Sequence, residues 1–236
     1  MLPGLDGTGR LFEPFLSILP PAIEPIVVDY PNNYFMPYEK LEESVLARFP
    51  TLLDSTLPSI LIAESYSGPL AIRLAARYPQ SFKAIALVAS FALNPWPAFP
   101  AYLATACMHP LWMRYALRSR TLIRLALTGA YSDRALLQVI QQTIQSVPMD
   151  LLIRRIRAVL ACNETDDLEK CASLPILYLQ ATRDRLIPPS AVNIILKHHP
   201  RTTLQLIHAG HLLLQTQPRQ ALQTILQFLS YNSVMR

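Results

Sequence analysis

The sequence predicts an α/β fold in which a mostly parallel β-sheet is covered by helices on both faces. Short runs of Val, Ile, Leu and Ala alternate with segments of helical periodicity, as buried parallel strands and their connecting helices do. This alternation stops at about residue 94, where several helical segments follow one another, and resumes after residue 168. We therefore expect an α/β core formed by residues 1–93 and 169–236, with residues 94–168 inserted as a helical cap.

The predicted elements follow in order along the chain. A Gly-rich loop comes first, at residues 1–9. Strands are predicted at residues 26–30, 59–63, 84–90, 175–180 and 203–207. Helical spacing is found at residues 10–19, 38–49, 68–78, 190–198 and 219–229. A strand would normally precede the Gly-rich loop, so either that strand is very short or the true start of the protein lies upstream of Met1.

Composition and charge narrow the class of protein. The chain has 236 residues, of which 51% are hydrophobic and 16% charged, which suits one α/β domain and argues against disorder. The formal net charge of +5 is concentrated between residues 97 and 160, where there are eight arginines and two aspartates. A local positive field favours anionic partners, although a solvated helix face gives the same pattern. No nucleic-acid-binding motif accompanies the charge, so no nucleic-acid partner is expected.

Cysteine usage and hydropathy suggest a cytoplasmic protein without a stable membrane span. Cys107, Cys162 and Cys171 have neither metal-ligand spacing nor an even number, which argues against a disulfide framework. The pattern of a signal peptide is absent from the first residues. Residues 84–113 carry no formal charge, but four prolines interrupt them, so an apolar surface beneath the cap is expected there.

Glycines are rare in this chain and mark three loops. Five of the six glycines lie in the first loop, just after residues 63–67, or directly before His211. Glycine is required where the backbone adopts a positive φ or approaches another group closely. The three loops are therefore expected to have special geometry.

A serine lies in the second of these loops, at a predicted strand-to-helix turn. Ser65 follows the second predicted strand, and the helix begins near Gly68. Such a turn holds the serine hydroxyl outward, above the carboxyl edge of the sheet, on a strained backbone. The usual pattern G-x-S-x-G is absent, but Ala63 and Ser67 supply the small residues that the crowded turn requires. Ser67 is the alternative nucleophile.

A carboxylate and an imidazole occupy the loops after two later predicted strands. Asp184 follows the fourth predicted strand and His211 follows the fifth. Because the carboxyl ends of parallel strands meet at one edge of a sheet, both side chains can face Ser65 there, in the chain order Ser, Asp, His. The alternatives that the sequence leaves open are His208 as the base, and Asp166 and Asp167 as the acid.

These loops together resemble those of the α/β-hydrolase superfamily over essentially the whole chain. Residues 3–9 (PGLDGTG) resemble its oxyanion loop, residues 63–68 (AESYSG) its nucleophile elbow, residues 184–188 (DRLIP) its acid loop and residues 210–211 its base loop. The insertion at 94–168 resembles its helical cap. Within the superfamily, the chain is most similar to small carboxylesterases and thioesterase-like members, including the esterases of pimeloyl-carrier-protein methyl esters.

The resemblance implies a serine hydrolase that cleaves carboxylic esters or thioesters through an acyl-enzyme. Ser65 would be the nucleophile, His211 the general base and Asp184 the residue that orients the imidazole. The backbone amides of Leu5 and Tyr66 would form the oxyanion hole, and no metal or organic cofactor would be required. Pro-Gly replaces the common His-Gly of the oxyanion loop, and both elbow glycines are replaced, which loosens assignment to a subfamily.

The cap sequence suggests the kind of substrate. Trp96, Tyr102 and Trp112 are the residues that we expect to line an acyl pocket, although simple packing against the core explains aromatic residues equally well. The expected substrate is a small-molecule ester of an apolar acyl group. The cap arginines suggest an anionic leaving group or an acidic acyl carrier protein; they are Arg114, Arg118, Arg120, Arg124, Arg154, Arg155 and Arg157.

Other functions stay open at this point. An acyltransferase, a lyase or a lactonase would use the same three loops. A catalytically silent ligand receptor would keep the fold with an unreactive Ser65, and a structural or partner-binding protein would need none of this chemistry.

Overall fold

The computed structural model describes residues 1–54, 56, 59–96 and 117–232. Four strands form one sheet in which sequence order and spatial order are the same, and all three pairings are parallel. The strands are β1 (Ile60–Glu64), β2 (Ala84–Val88), β3 (Ile176–Ala181) and β4 (Thr203–Ile207).

Helices connect and flank these strands. They are α1 (Glu13–Leu16), α2 (Tyr38–Arg48), α3 (Gly68–Arg77), α4 (Arg120–Ile123), α5 (Arg134–Gln145), α6 (Met149–Ala161), α7 (Thr165–Lys170), α8 (Ala191–His198), α9 (Leu213–Thr216) and α10 (Pro218–Tyr231). A π-helical turn, Arg124–Thr128, continues directly from α4. In the described ranges, none of the helices combines the length and apolarity that crossing a membrane requires.

Both faces of β1, β2 and β3 are buried, which explains why these strands read as continuous apolar runs, whereas most of the edge strand β4 is exposed. Alternate side chains of β2 belong to two different core clusters. Ile85 and Leu87 pack on the side covered by α2, α3 and α8, whereas Ala86 and Val88 pack on the side covered by α1 and α10. Burying a side chain of the Leu or Ile type contributes roughly 1.5–3 kcal/mol to the free energy of folding, so these two layers stabilise the sheet. The predicted parallel sheet with helices on both faces is confirmed.

The parallel register brings the carboxyl ends of the strands to one edge. Glu64 at the end of β1 is paired with Val88 of β2, and Ala181 at the end of β3 is paired with Ile207 of β4. The loops that follow β1, β3 and β4 therefore leave the sheet side by side. These are the loops in which Ser65, Asp184 and His211 lie.

One predicted strand is wrong. Residues 26–30 are extended beside the first loop, where the amides of Val28 and Tyr30 donate to its carbonyl groups at 3.0 and 2.7 Å, but they form no strand. Leu2 makes only a single bridge with Ala63. Because the chain turns at Leu5 and Asp6, the first residues make only isolated contacts and no ladder forms.

The first predicted helix is also shorter than expected. Residues 10–19 form a 3-10 turn, Arg10–Phe12, followed by the four-residue α1. Pro14 has no amide hydrogen to donate to the preceding turn, so a continuous helix cannot form through it. The other core strands and helices begin and end within two residues of their predicted positions.

Candidate active site

Ser65 occupies a strained turn between β1 and α3. Its φ of 49° lies in the left-handed region, which costs a non-glycine residue about 1–2 kcal/mol. The Ser90 hydroxyl, just beyond β2, donates to the Ser65 carbonyl at 2.6 Å, and the Gly68 amide also donates to that carbonyl. The Tyr178 hydroxyl from β3 donates to the Ser90 carbonyl at 2.7 Å. The neighbouring strands therefore fix the backbone that presents the Ser65 side chain.

His211 lies within hydrogen-bonding distance of both Asp184 and this serine. His211 Nε2 is 2.9 Å from Ser65 Oγ, and His211 Nδ1 is 2.8 Å from Asp184 Oδ2. The second oxygen of Asp184 accepts hydrogen bonds from the amides of Leu186 and Ile187 at 2.8 and 3.0 Å. Because these bonds fix the carboxylate, it can hold His211 with the Nδ1 proton toward the acid and Nε2 free to accept a proton.

Burial and charge act in opposite directions on this imidazole. Burial lowers the pKa of His211, but the negative charges of Asp184 and Glu64 outweigh it, so the pKa is raised overall. Glu64 directly precedes Ser65 and is itself buried. Burial raises the pKa of Glu64 to about 7, the charge of Asp6 adds to the increase, and His211 and Gln215 oppose it. Two acids and one base therefore share this buried region with the serine.

Ser67, the alternative nucleophile, ties the turn to the first loop. Its hydroxyl donates to the Pro3 carbonyl and accepts from the Tyr30 hydroxyl, and the side chain is fully buried. The first loop thereby lies against the turn, and a Cβ atom added at Gly4 would lie 3.9 Å from the Ser65 Cβ. Ser67 has a structural role in this arrangement and its hydroxyl bonds no histidine there.

Gly68, at the start of α3, and Gly210, directly before His211, allow close packing. A Cβ atom at Gly68 would lie 1.9 Å from the Ser90 hydroxyl, and one at Gly210 would lie 2.8 Å from the Leu127 carbonyl. Neither glycine has a positive φ. The Leu127 carbonyl also accepts from the Leu212 amide at 3.0 Å, so the π-helical turn after α4 packs directly on the loop that carries His211.

A large apolar cavity opens beside Ser65 and His211. Its volume is about 800 Å³, within the range of small-molecule sites. Gly4, Leu5 and Tyr66 line it next to the serine. Most of the remaining wall is aliphatic and comes from the segment between residues 117 and 160, and Phe91 and Trp96 add aromatic side chains. The cavity can hold an apolar group while Ser65 contacts the group's polar end.

Of the three residues predicted to contact substrate, the structure describes one. Trp96 lines the cavity, as expected of a residue that contacts substrate. Tyr102 and Trp112 lie outside the described residues. The division into core and cap stays a prediction, although α4, α5 and α6 all fall within the segment predicted as cap.

The alternative acid and base residues lie in other surroundings. His208 is exposed, and its Nδ1 is 2.9 Å from the Thr182 hydroxyl. Asp166 is exposed on α7, and Asp167 on the same helix pairs with Lys170 at 2.7 Å. Within the described residues, no group of three or more His, Cys, Asp or Glu side chains is arranged to hold a metal ion.

Two residues near the site were not recognised from the sequence in the roles the structure gives them. From the sequence, no role is assigned to Glu64. Its place at the end of the apolar run ILIAE is nevertheless a signal, because a residue that ends a buried strand can itself be buried beside Ser65. Arg155 was grouped with the cap arginines that would attract an anionic partner, and this is wrong. Its side chain is only 3% exposed and donates to backbone carbonyls of the first loop, so it cannot meet a partner at the surface.

Solved structures with this architecture include lactone- and ester-cleaving proteins. The enol-lactonase from Burkholderia xenovorans LB400 superposes with a TM-score of 0.77 at 16% identity, covering 96% of this chain and 88% of that one. A thermophilic esterase from Thermogutta terrifontis gives a TM-score of 0.73 at 18% identity, covering 95% and 86%. At these identities the likeness shows the fold alone.

Sequence comparison provides the family. No curated protein gives a significant match to the sequence. A family model described as "Alpha/beta hydrolase family" matches residues 1–223, which is nearly the whole chain. The chain belongs to the alpha/beta hydrolase family.

Proposed function

We propose that this protein is a serine hydrolase that cleaves carboxylic esters of apolar acyl groups through an acyl-enzyme. The observation that carries the proposal is the continuous chain of contacts from Ser65 Oγ through the His211 imidazole to Asp184, at 2.9 and 2.8 Å. Ser65 and His211 both line the apolar cavity.

The first half of the reaction forms an ester between the substrate acyl group and Ser65. His211 Nε2 removes the hydroxyl proton as Oγ attacks the substrate carbonyl carbon. Asp184 accepts the Nδ1–H hydrogen bond and stabilises the imidazolium that forms. The imidazolium then gives its proton to the leaving oxygen as the carbonyl–oxygen bond breaks. In the second half, His211 removes a proton from water, and the resulting attack releases the carboxylic acid and restores Ser65.

Two backbone amides are suited to stabilise the oxyanion. Tyr66 lies in the 3-10 turn Ser65–Ser67 that leads into α3, where amides have no helical acceptor and the helix dipole is positive. The Leu5 amide has no acceptor among the described residues. One donor of this kind contributes about 3–4 kcal/mol to the stability of the transition state. Leu5 and Tyr66 both line the cavity beside Ser65.

The cavity supports an apolar acyl group as the part of the substrate that is recognised. Helix α6 contributes Leu152, Ile156 and Val159 at helical spacing, so one face of this helix forms a continuous aliphatic wall. Excluding water from such a wall favours binding of an alkyl chain by roughly 0.8 kcal/mol for each CH₂ group buried. We propose esters with short to medium acyl chains, and the same chemistry applies to thioesters.

An acidic acyl carrier protein is proposed as a partner for the exposed arginines of the cap segment. Arg154 and Arg157 of α6 are exposed, as are Arg118, Arg120 and Arg124. These side chains supply positive charge on the segment that forms the cavity wall, which suits docking of a negatively charged carrier.

The other functions differ in their products. A lactonase would open a cyclic ester with the same residues, and an acyltransferase would pass the acyl group from Ser65 to an acceptor other than water. Product analysis with linear esters, lactones and added alcohols separates these. A catalytically silent receptor would bind apolar ligands without acylation of Ser65.

Ser65→Ala should abolish labelling by a fluorophosphonate probe and lower ester turnover on the order of 10⁶-fold, because the nucleophile is lost. Ser67→Ala is the matched control. It should keep the labelling while lowering the free energy of unfolding by about 1–3 kcal/mol, since buried hydrogen-bond partners lose their contacts. Labelling that survives in Ser65→Ala and disappears in Ser67→Ala would reverse the assignment.

Ile156→Trp should move the preferred acyl length of p-nitrophenyl esters toward shorter chains. The larger side chain fills part of the cavity, so kcat/KM should fall about tenfold or more for long chains and stay nearly unchanged for acetate. Arg157→Trp, which adds the same group on the exposed side of α6, serves as the control. An unchanged chain-length profile in Ile156→Trp would show that the acyl group lies elsewhere.

Glu64→Gln should move the acidic limb of the pH profile of kcat/KM to lower pH. The negative charge of Glu64 helps to raise the pKa of His211, so its removal lowers that pKa and keeps the imidazole neutral further into acid. Because burial raises the pKa of Glu64 to about 7, the two groups titrate as a coupled pair. Glu13→Gln, an exposed change on α1, should leave the limb in place. A shift to higher pH in Glu64→Gln would contradict this account.

Charge reversal at Arg154 and Arg157 should lower kcat/KM about tenfold or more for an acyl ester carried on an acidic carrier protein. Turnover of a small p-nitrophenyl ester should stay the same, because neither side chain lines the cavity. The loss should become smaller at high salt, which screens surface charges. Equal activity on the carrier-linked ester would rule out the partner.

A further inference from the structure

Arg155 is a buried arginine that connects helix α6 to the first loop. Its Nη1 donates to the carbonyl oxygens of Leu5 and Asp6 at 2.9 and 2.8 Å. Its Nη2 donates to the carbonyl of Pro31 and the side-chain oxygen of Asn32 at 3.0 and 3.2 Å. The planar guanidinium therefore holds two segments at once from a helix more than a hundred residues away in sequence.

Within the described part of the chain, no carboxylate forms an ion pair with this guanidinium, and the charge of Asp6 acts on it only from beyond ion-pair distance. Burying a charge is costly unless hydrogen bonds replace the lost water, and here carbonyl and amide oxygens do so. The Tyr30 ring adds a contact 5.9 Å from the guanidinium carbon. An apolar side chain would fill this space at a lower cost in desolvation free energy than a buried charge.

Gly7 is matched to this guanidinium. Its φ of 69° lies in the left-handed region, and a Cβ atom there would lie 2.7 and 2.9 Å from the two terminal nitrogens of Arg155. Any other residue at this position would displace the guanidinium. The turn and the arginine are therefore parts of one arrangement.

The same turn determines where the Leu5 amide points. The Gly4 carbonyl accepts a hydrogen bond from the Gly7 amide at 3.0 Å, so it faces into the turn. In a trans peptide the N–H lies opposite the C=O, so the Leu5 amide faces away from the turn. Gly4 and Leu5 line the cavity beside Ser65. Arg155 holds the next two carbonyls of this turn and so limits rotation of the peptide that carries the Leu5 amide.

We infer that Arg155 is a positioning residue that holds the first loop in the conformation in which the Leu5 amide can stabilise the oxyanion. This inference rests on the proposed function. Arg155 does not touch the substrate, because it acts through the carbonyls of Leu5 and Asp6. Leu152 and Val159, three residues before and four residues after Arg155, lie beside it on the same helix face and line the cavity, so α6 connects the acyl site to the oxyanion loop.

Arg155→Met tests the inference in the full chain. We expect kcat for p-nitrophenyl esters to fall about 10- to 100-fold with little change in KM, because a displaced donor weakens the transition state more than the bound substrate. Affinity for an alkyl trifluoromethyl ketone, which forms a tetrahedral adduct with an anionic oxygen, should fall by a similar factor. Affinity for an alkanol of the same chain length, which forms no oxyanion, should be unchanged.

Arg155→Lys covers the case in which the methionine variant does not fold. Lysine keeps the charge but cannot bond four oxygens with a planar fork, so it should give the same loss of ketone affinity to a smaller degree. Millimolar guanidinium should partly restore kcat in Arg155→Ala. Arg134→Met, at the exposed start of α5, should leave kcat and both affinities unchanged.

The outcomes separate this inference from the proposed function. Wild-type protein that neither turns over esters nor binds the ketone would contradict the proposed function. Active wild-type protein with a folded Arg155→Met or Arg155→Lys variant whose kcat and ketone affinity match those of wild type would overturn the inference alone. A variant whose ketone and alkanol affinities fall together would also overturn it, since that pattern indicates a damaged cavity.

Discussion

The left-handed backbone at Ser65 is the constraint on which the rest of the site depends. A strand that continued with extended geometry would bury the hydroxyl between sheet and helix, whereas the positive φ lifts the side chain to the carboxyl edge. The conformation is unfavourable locally and persists because its surroundings hold it. The Ser90 hydroxyl bonds the Ser65 carbonyl, and Gly68 leaves the space in which Ser90 can approach. The strained backbone is thus held by a residue just beyond the neighbouring strand β2, and the missing side chain at Gly68 lets that residue approach.

The elements that local sequence determines were predictable, and those that depend on distant contacts were not. Buried strands can be recognised as apolar runs because helices cover both faces of the sheet. The order of these strands along the chain then places three loops at one edge. Residues 26–30 look like such a run, but they meet the first loop only through separate backbone contacts, such as those of Val28 and Tyr30, and form no ladder with it. The close approach of Leu127 to Gly210 joins segments more than eighty residues apart, so no local pattern could have indicated it.

Charge counted along the sequence does not distinguish arginines with different surroundings. Arg154, Arg155 and Arg157 are close neighbours on α6 and contribute equally to the net charge. Helical geometry sends them in different directions, since successive residues are separated by about 100° around the axis. Two of them are exposed, while Arg155 is buried against the carbonyls of the first loop. The positive field available to an anionic partner is therefore smaller than composition suggests, and part of the charge is used inside the molecule.

The apolar cavity and the buried ionisable groups depend on one another. An aliphatic wall excludes water, which strengthens every hydrogen bond to an oxyanion formed beside it. The same exclusion makes a bare carboxylate costly, and it raises the pKa of Glu64 to about 7. Asp184 avoids this cost in a different way, because two backbone amides and His211 bond its oxygens. Glu64 has one bond, from Gln215, and its second oxygen has no partner among the described residues. The acid that is fully bonded is therefore suited to orient the imidazole, while Glu64 exchanges its proton in the pH range where His211 must be neutral.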